Sequence, residues 1–172
     1  MTASEGFREW LRSMSTSQSR AVENLIEHAF LADCLQESWF RRREELEVAR
    51  ADVDASGYYL ILHSRGVTRH VQLKASRKGG RTNRQTVNAR LQQRRGGCVV
   101  WVIYDVDEET GRTDLQYLWK EASDLPDRVG RHTRGAKAAR PNTRVLTRGS
   151  FERLGSVSEL LDRLFGPEAT TP

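Results

Sequence analysis

The sequence predicts an α/β domain, a central mixed β-sheet flanked by helices. Three stretches carry that prediction. Gln18 to Arg43 repeats apolar residues every three or four positions, which is helical spacing. "YYLILH" and "VTRHVQLKAS", separated by "SRG", read as the two arms of a β-hairpin. "GCVVWVIYD" is apolar throughout, as a strand is when both of its faces are covered.

In chain order, the first helix carries Ala21, Leu25, Ala29, Ala32, Leu35 and Trp39 as its apolar stripe. "ELEVAR", Glu45 to Arg50, is a short strand, and "VDASG" has the Asp, Ser and Gly that favour a bend. The hairpin follows, and Gly79 and Gly80 then break the chain. Asn83 to Gln93 is predicted as a short helix with Val87 and Leu91 on one side. After the apolar strand, "TDLQYLWK" offers another. Arg131 to Pro141 is a basic loop with Gly, Pro and no apolar period. A short strand at Arg144 to Leu146 and a helix at Val157 to Phe165, stopped by Gly166, complete the order. One domain over 1–172 is expected, with a core at about 18–120 and the basic loop and C-terminal helix at 128–166.

With 37% hydrophobic and 30% charged residues, the composition fits a soluble globular protein. Its longest apolar run, Cys98 to Tyr104, has seven residues and suits a strand rather than a membrane span. "MTASEGFREW" lacks the basic start and apolar centre of a signal peptide. Cys34 and Cys98 lie far apart in apolar segments, so neither a disulfide framework nor a zinc site is expected. His63 and His70 have no paired ligand spacing either. A reducing, cytoplasmic setting follows.

The net charge is +5, unevenly spread. From Ala55 to Tyr104 there is no Asp or Glu, against ten Lys and Arg. Arg131 to Arg153 holds seven basic residues against Glu152 alone. Gln18 to Asp54, by contrast, carries nine acids against five bases, and Asp105 to Asp127 eight against two. Such segregation predicts a positive surface that concentrates a polyanion, nucleic acid first.

The hairpin's second strand sharpens this. Val71, Leu73 and Ala75 alternate with Gln72, Lys74 and Ser76, so one face is apolar and the other polar. If Arg65-Gly66 is a two-residue turn, Tyr59 faces Gln72 and Gly57 faces Lys74. Gln72 offers a neutral oxygen acceptable to Mg2+ or Mn2+. The Lys74 ammonium suits charge on a phosphoryl group, and His70 shares the same face.

An acid-bearing helix ("ENLIEHAFLADCL"), a hairpin containing "GYYLIL" and then "QLK", a helix and a buried strand together resemble the PD-(D/E)XK, or restriction-endonuclease-like, nuclease superfamily. The resemblance covers about Ala21 to Asp105. The later "RVLTRGSFERLGSVSELLDRLFG" resembles the tail of a compact bacterial subgroup with a Gln-x-Lys motif. It implies a restriction-endonuclease-like core and hydrolysis of phosphodiester bonds with Mg2+ (or Mn2+). The implied metal ligands are Gln72, the Leu73 carbonyl, a hairpin carboxylate and a helix Glu, for which Glu27 is chosen and Glu23 is the alternative. Lys74 is the implied catalytic lysine. In that chemistry the metal generates hydroxide and neutralises charge developing on phosphate. Arg77, Lys78, Arg81 and Arg84, then Arg140, Arg144 and Arg148, are the expected phosphate contacts.

The sequence departs from the family where it matters most. Members often read Gly-x-Asp, with that Asp as metal ligand; here the place is held by Tyr59, a poor Mg2+ ligand. Asp54, with Asp52 behind it, is the substitute, although five extended residues separate it from Tyr59 by about 16 Å. Three functions therefore stand. The first is a metal-dependent nuclease using Asp54, Gln72, Lys74 and Glu27, acting on DNA in preference to RNA. The second is a catalytically inactive nuclease-like domain that binds nucleic acid. The third is a subunit whose basic surface meets an acidic protein. A homodimer or a partner subunit is an expected setting for so small a domain.

Overall fold

The computed structural model describes residues 3–51, 60–127 and 142–168. Three α-helices occur there: α1 (Ala3–Ser17), α2 (Ser19–Gln36) and α3 (Val157–Phe165). The strands are β1 (Glu47–Arg50), β2 (Leu60–Ser64), β3 (Val67–Arg77), β4 (Arg84–Asn88), β5 (Gly97–Val106), β6 (Thr113–Glu121), β7 (Thr143–Thr147) and β8 (Glu152–Leu154). Six of them make one mixed sheet in the order β1-β2-β3-β5-β6-β8, in which β3 and β5 are parallel and the other neighbours antiparallel. β4 and β7 pair separately. The chain is thus an α/β fold with helices against a mixed sheet.

The sheet separates two cores. On one face Val71, Val100 and Val102 pack with Ile26, Phe30 and Cys34 of α2 and with Leu160, Leu161 and Leu164 of α3. On the other, Val99, Trp101 and Leu118 meet Val87 of β4, Leu146 of β7, Leu91 and Phe151. β5 alternates between the two and is buried from Gly97 to Tyr104, which is why its sequence is apolar without a period.

The hairpin forms at the expected turn. Arg65 and Gly66 both take positive φ, +50° and +74°, the signature of a two-residue type I′ connection. Leu60 pairs with Val71 and Ser64 with Val67. A non-glycine residue in that conformation is strained, and the Arg65 side chain ties the turn down. Its guanidinium donates to the carbonyls of Phe165, Gly166 and Pro167 at 2.8, 2.6 and 2.7 Å, oxygens a helix C-terminus leaves without partners. Arg69 does the same with Leu164 and Arg163, at 2.5 and 2.8 Å.

Two expectations are corrected. Asn83 to Gln93 is not a helix but β4 followed by a 3-10 turn, Ala89–Gln93. "RQTVN" has β-branched residues at its centre and finds a partner in β7, a pairing between distant parts of the sequence that local propensity cannot reveal. Val87 and Leu91 are nonetheless both buried. On α2 the helix is as predicted, but the buried ridge is Ile26, Phe30 and Cys34, continued by Ser38 and Arg42 in a π-helical turn, Glu37–Arg42. Leu25, Trp39 and Phe40 stay 57%, 49% and 82% exposed. The sequence offers two apolar stripes on this helix, and the bulkier pair Ile26 and Phe30 takes the core. α1, in which Phe7, Trp10, Leu11 and Met14 recur at helical spacing, adds a helix beyond those predicted.

Candidate catalytic strand and basic clefts

β3 lies inside the sheet with β2 antiparallel on one side and β5 parallel on the other. β2 begins at Leu60, opposite Val71. Beyond that point β3 runs beside β5, with Gln72 next to Val99, Lys74 next to Trp101 and Ser76 next to Ile103. All three polar residues therefore face the second core. That face is roofed rather than wet. Gln72 is 9% exposed, and its carboxamide oxygen accepts the backbone N–H of Asn88 at 3.1 Å. Ser76 Oγ accepts from Trp101 Nε1 at 2.9 Å. β4 and the following 3-10 turn are the roof, so the strand's polar alternation secures the crossover that joins β3 to β5. Lys74 is half-buried beside Trp101.

Glu27 is elsewhere. Its carboxylate accepts from the Nε and Nη2 atoms of Arg50, both at 2.8 Å. Arg50 pairs with Leu60, which pairs with Val71, so this ion pair belongs to the first-core face, across the sheet from Gln72 and Lys74. Glu23 is exposed on the same helix. Asp52, Asp54, Gly57 and Tyr59 lie outside the described residues, as does Arg140.

A divalent ion at this strand would find the Gln72 oxygen, already holding Asn88, and the Leu73 carbonyl. Both are neutral, whereas Mg2+ is normally held through carboxylates and water. Among the described residues no group of three or more His, Cys, Asp or Glu converges. The described residues therefore do not by themselves make a Mg2+ site; a carboxylate would have to come from outside them, where Asp52 and Asp54 lie.

The basic residues divide into structural and accessible sets. Arg65 and Arg69 are committed to α3, and Arg69 also pairs with Glu121 at 2.9 Å and stacks on Trp119. Arg144 donates to the carbonyls of Pro126 and Thr143 at 2.6 and 3.1 Å. Arg84 and Arg81 are exposed, and Arg77 is half-buried at the end of β3. Arg77, Lys78 and Arg81 line a cleft of about 980 Å³ at the carboxyl ends of the parallel pair β3 and β5, with Phe7 and Leu11 of α1 also in its wall. Ligands of open α/β sheets commonly bind at that end. Asp105, Asp107, Glu108 and Asp114 line it too, and Lys78 Nζ sits 3.1 Å from Asp105. Three cations against four carboxylates leave this cleft without net positive charge. A second cleft of about 440 Å³, between the sheet and the β7–β8 connection, includes Lys78, Arg148 and Arg153 and no acid.

Comparison with known proteins finds no family model, no curated protein and no solved structure that matches the chain. Among the described residues no helix is long and apolar enough to cross a membrane.

The roof over Gln72 and Ser76 was not foreseen. The signal in the sequence is faint. Asn88 can cap the 3-10 turn, and its side chain does accept from the Arg90 N–H at 3.0 Å, but nothing local points that turn at Gln72.

Proposed function

We propose that the chain is a nuclease-like domain with a restriction-endonuclease-like core, acting on the phosphodiester backbone of nucleic acid, DNA in preference to RNA. The observation that carries the reading is the course of β3. Gln72 and Lys74 share one face of a strand beside the parallel strand β5, and the chain leaves that strand through Arg77, Lys78 and Arg81. The larger cleft carries no net positive charge. Backbone phosphates, read by charge rather than by base, therefore meet basic side chains chiefly around the acid-free smaller cleft, which Lys78 shares with Arg148 and Arg153. Lys74 acts on charge developing at the scissile phosphate. Hydrolysis with Mg2+ or Mn2+ requires a carboxylate, and Asp54 is the residue assigned to supply it beside Gln72 and the Leu73 carbonyl. Glu27, bound to Arg50 across the sheet, has no part in this scheme.

A second reading, binding without hydrolysis, is favoured by one observation: the Gln72 oxygen is spent on the Asn88 N–H, while Tyr59 occupies the place of the family's aspartate. Plasmid and single-stranded DNA incubated with the protein and Mg2+ or Mn2+ separate the two. Nicking that disappears in EDTA, in Lys74→Ala and in Asp54→Ala is the expected result. Intact substrates, with Lys74→Ala binding them as tightly as the parent, would leave only the binding reading.

A further inference from the structure

The smaller cleft has a chemistry of its own. Lys78, Asn83, Gln116, Arg148, Phe151 and Arg153 are among its lining residues. Arg148 is held in place from below: its guanidinium carbon lies 5.4 Å from the centre of the Trp101 ring, and that ring is fixed by its hydrogen bond to Ser76 and by an edge contact with Phe151 at 5.4 Å. One end of the guanidinium donates to the Thr82 carbonyl at 3.1 Å. Its Nε is shielded from solvent and has no hydrogen-bond partner. A buried donor without a partner is a cost to the fold, while the delocalised charge of the guanidinium remains available to an oxyanion in the cleft. Arg153 has a neutral partner, the Gln116 side-chain oxygen at 3.1 Å, so its charge is not cancelled there. Lys78 is paired with Asp105 where both are about half exposed, a pairing of little energetic weight.

We propose that this cleft binds the terminal phosphate of a nucleotide. A phosphate monoester carries up to two negative charges near neutral pH, which suits two guanidinium groups and an ammonium better than the single charge of an internal diester does. At about 440 Å³ the cleft is small among ligand sites; a nucleotide fits it and a duplex does not. The nucleotide is either the end of a strand or a free nucleoside monophosphate. The strand source rests on the nucleic-acid reading above; recognition of the phosphate itself does not.

The test uses the full chain in EDTA, so that hydrolysis plays no role. Binding is measured for one single-stranded oligonucleotide carrying a 5′-phosphate, a 3′-phosphate or neither, and for adenosine 5′-monophosphate. The expected result is an advantage of about tenfold for one phosphorylated end, lost in Arg148→Gln and in Arg153→Gln and retained in Arg20→Gln on the opposite side of the sheet. Arg148 packs on Trp101 and its replacement can disturb the fold; exposed Arg153 gives the independent variant, and thermal unfolding is followed for both. Equal binding of all three oligonucleotides, together with adenosine monophosphate binding that Arg153→Gln weakens, assigns the site to free nucleotides. No phosphate advantage and no such adenosine monophosphate binding would overturn the proposal, as would a phosphate advantage that survives both variants. The nucleic-acid reading fails separately, if no oligonucleotide binds at all.

Discussion

Gln72 is the residue at which stability and the proposed function compete. Its side chain is buried and holds the Asn88 N–H, an interaction worth about 1 kcal/mol. A carboxamide oxygen has two lone pairs, so holding β4 leaves one acceptor direction for another partner. Glu37 illustrates a group whose charge stabilises the fold. Burial pushes its carboxyl up, but hydrogen bonds from Arg41, Ser158 and Arg42 outweigh that and hold it below the ordinary carboxylate value. Because the folded-state value is depressed, the stabilisation is present above the unfolded-state value of about 4.3 and is lost as pH falls through the folded one. Glu37→Gln is therefore expected to lower the melting temperature at pH 7 by about 2–4 °C. The gap from the parent should close in melts below about pH 4. A gap that stays constant down to pH 3 would assign the loss to packing instead.

At the scale of elements, what the sequence reveals depends on whether the deciding contacts are local. The hairpin was legible because turn and alternation lie within a dozen or so residues. α3 was legible because Gly166 ends it, and the fold adds a cap at its start, where Ser156 accepts the Glu159 N–H. β4 was not, since its partner β7 comes from a distant stretch of chain. That Gln72 and Lys74 share a face could be read from alternation, but alternation does not say what covers that face, and the covering element was the misread one. α2 poses the same difficulty, since two apolar stripes compete and only packing chooses. This choice can be measured. Phe30→Ala should destabilise the protein by about 3–5 kcal/mol in denaturant unfolding, and Leu25→Ala by less than about 0.5 kcal/mol. The opposite ranking would mean that the stripe predicted from the sequence, not the ridge seen in the fold, is the buried one.

Across the whole molecule, charge is sorted by job. Arg65 and Arg69, conspicuous in the acid-free stretch, fasten the hairpin to the end of α3. Arg42 is buried against Ser158 and Asp162. Arg77, Lys78 and Arg81 lie beyond the end of β3, and Lys78, Arg148 and Arg153 line the smaller cleft. A sum over the sequence overstates the positive surface for that reason. Engagement of a nucleic-acid backbone by these groups is tested most directly by salt. Affinity for a labelled DNA oligonucleotide, measured in EDTA over a range of ionic strength, should fall linearly on a double-logarithmic plot, because phosphate contacts release counterions. Replacing Arg77 and Arg81 by Gln should make that slope shallower by about one to two units. No binding, or binding indifferent to salt and to both substitutions, would contradict the account and turn attention to an acidic protein as the partner of this surface.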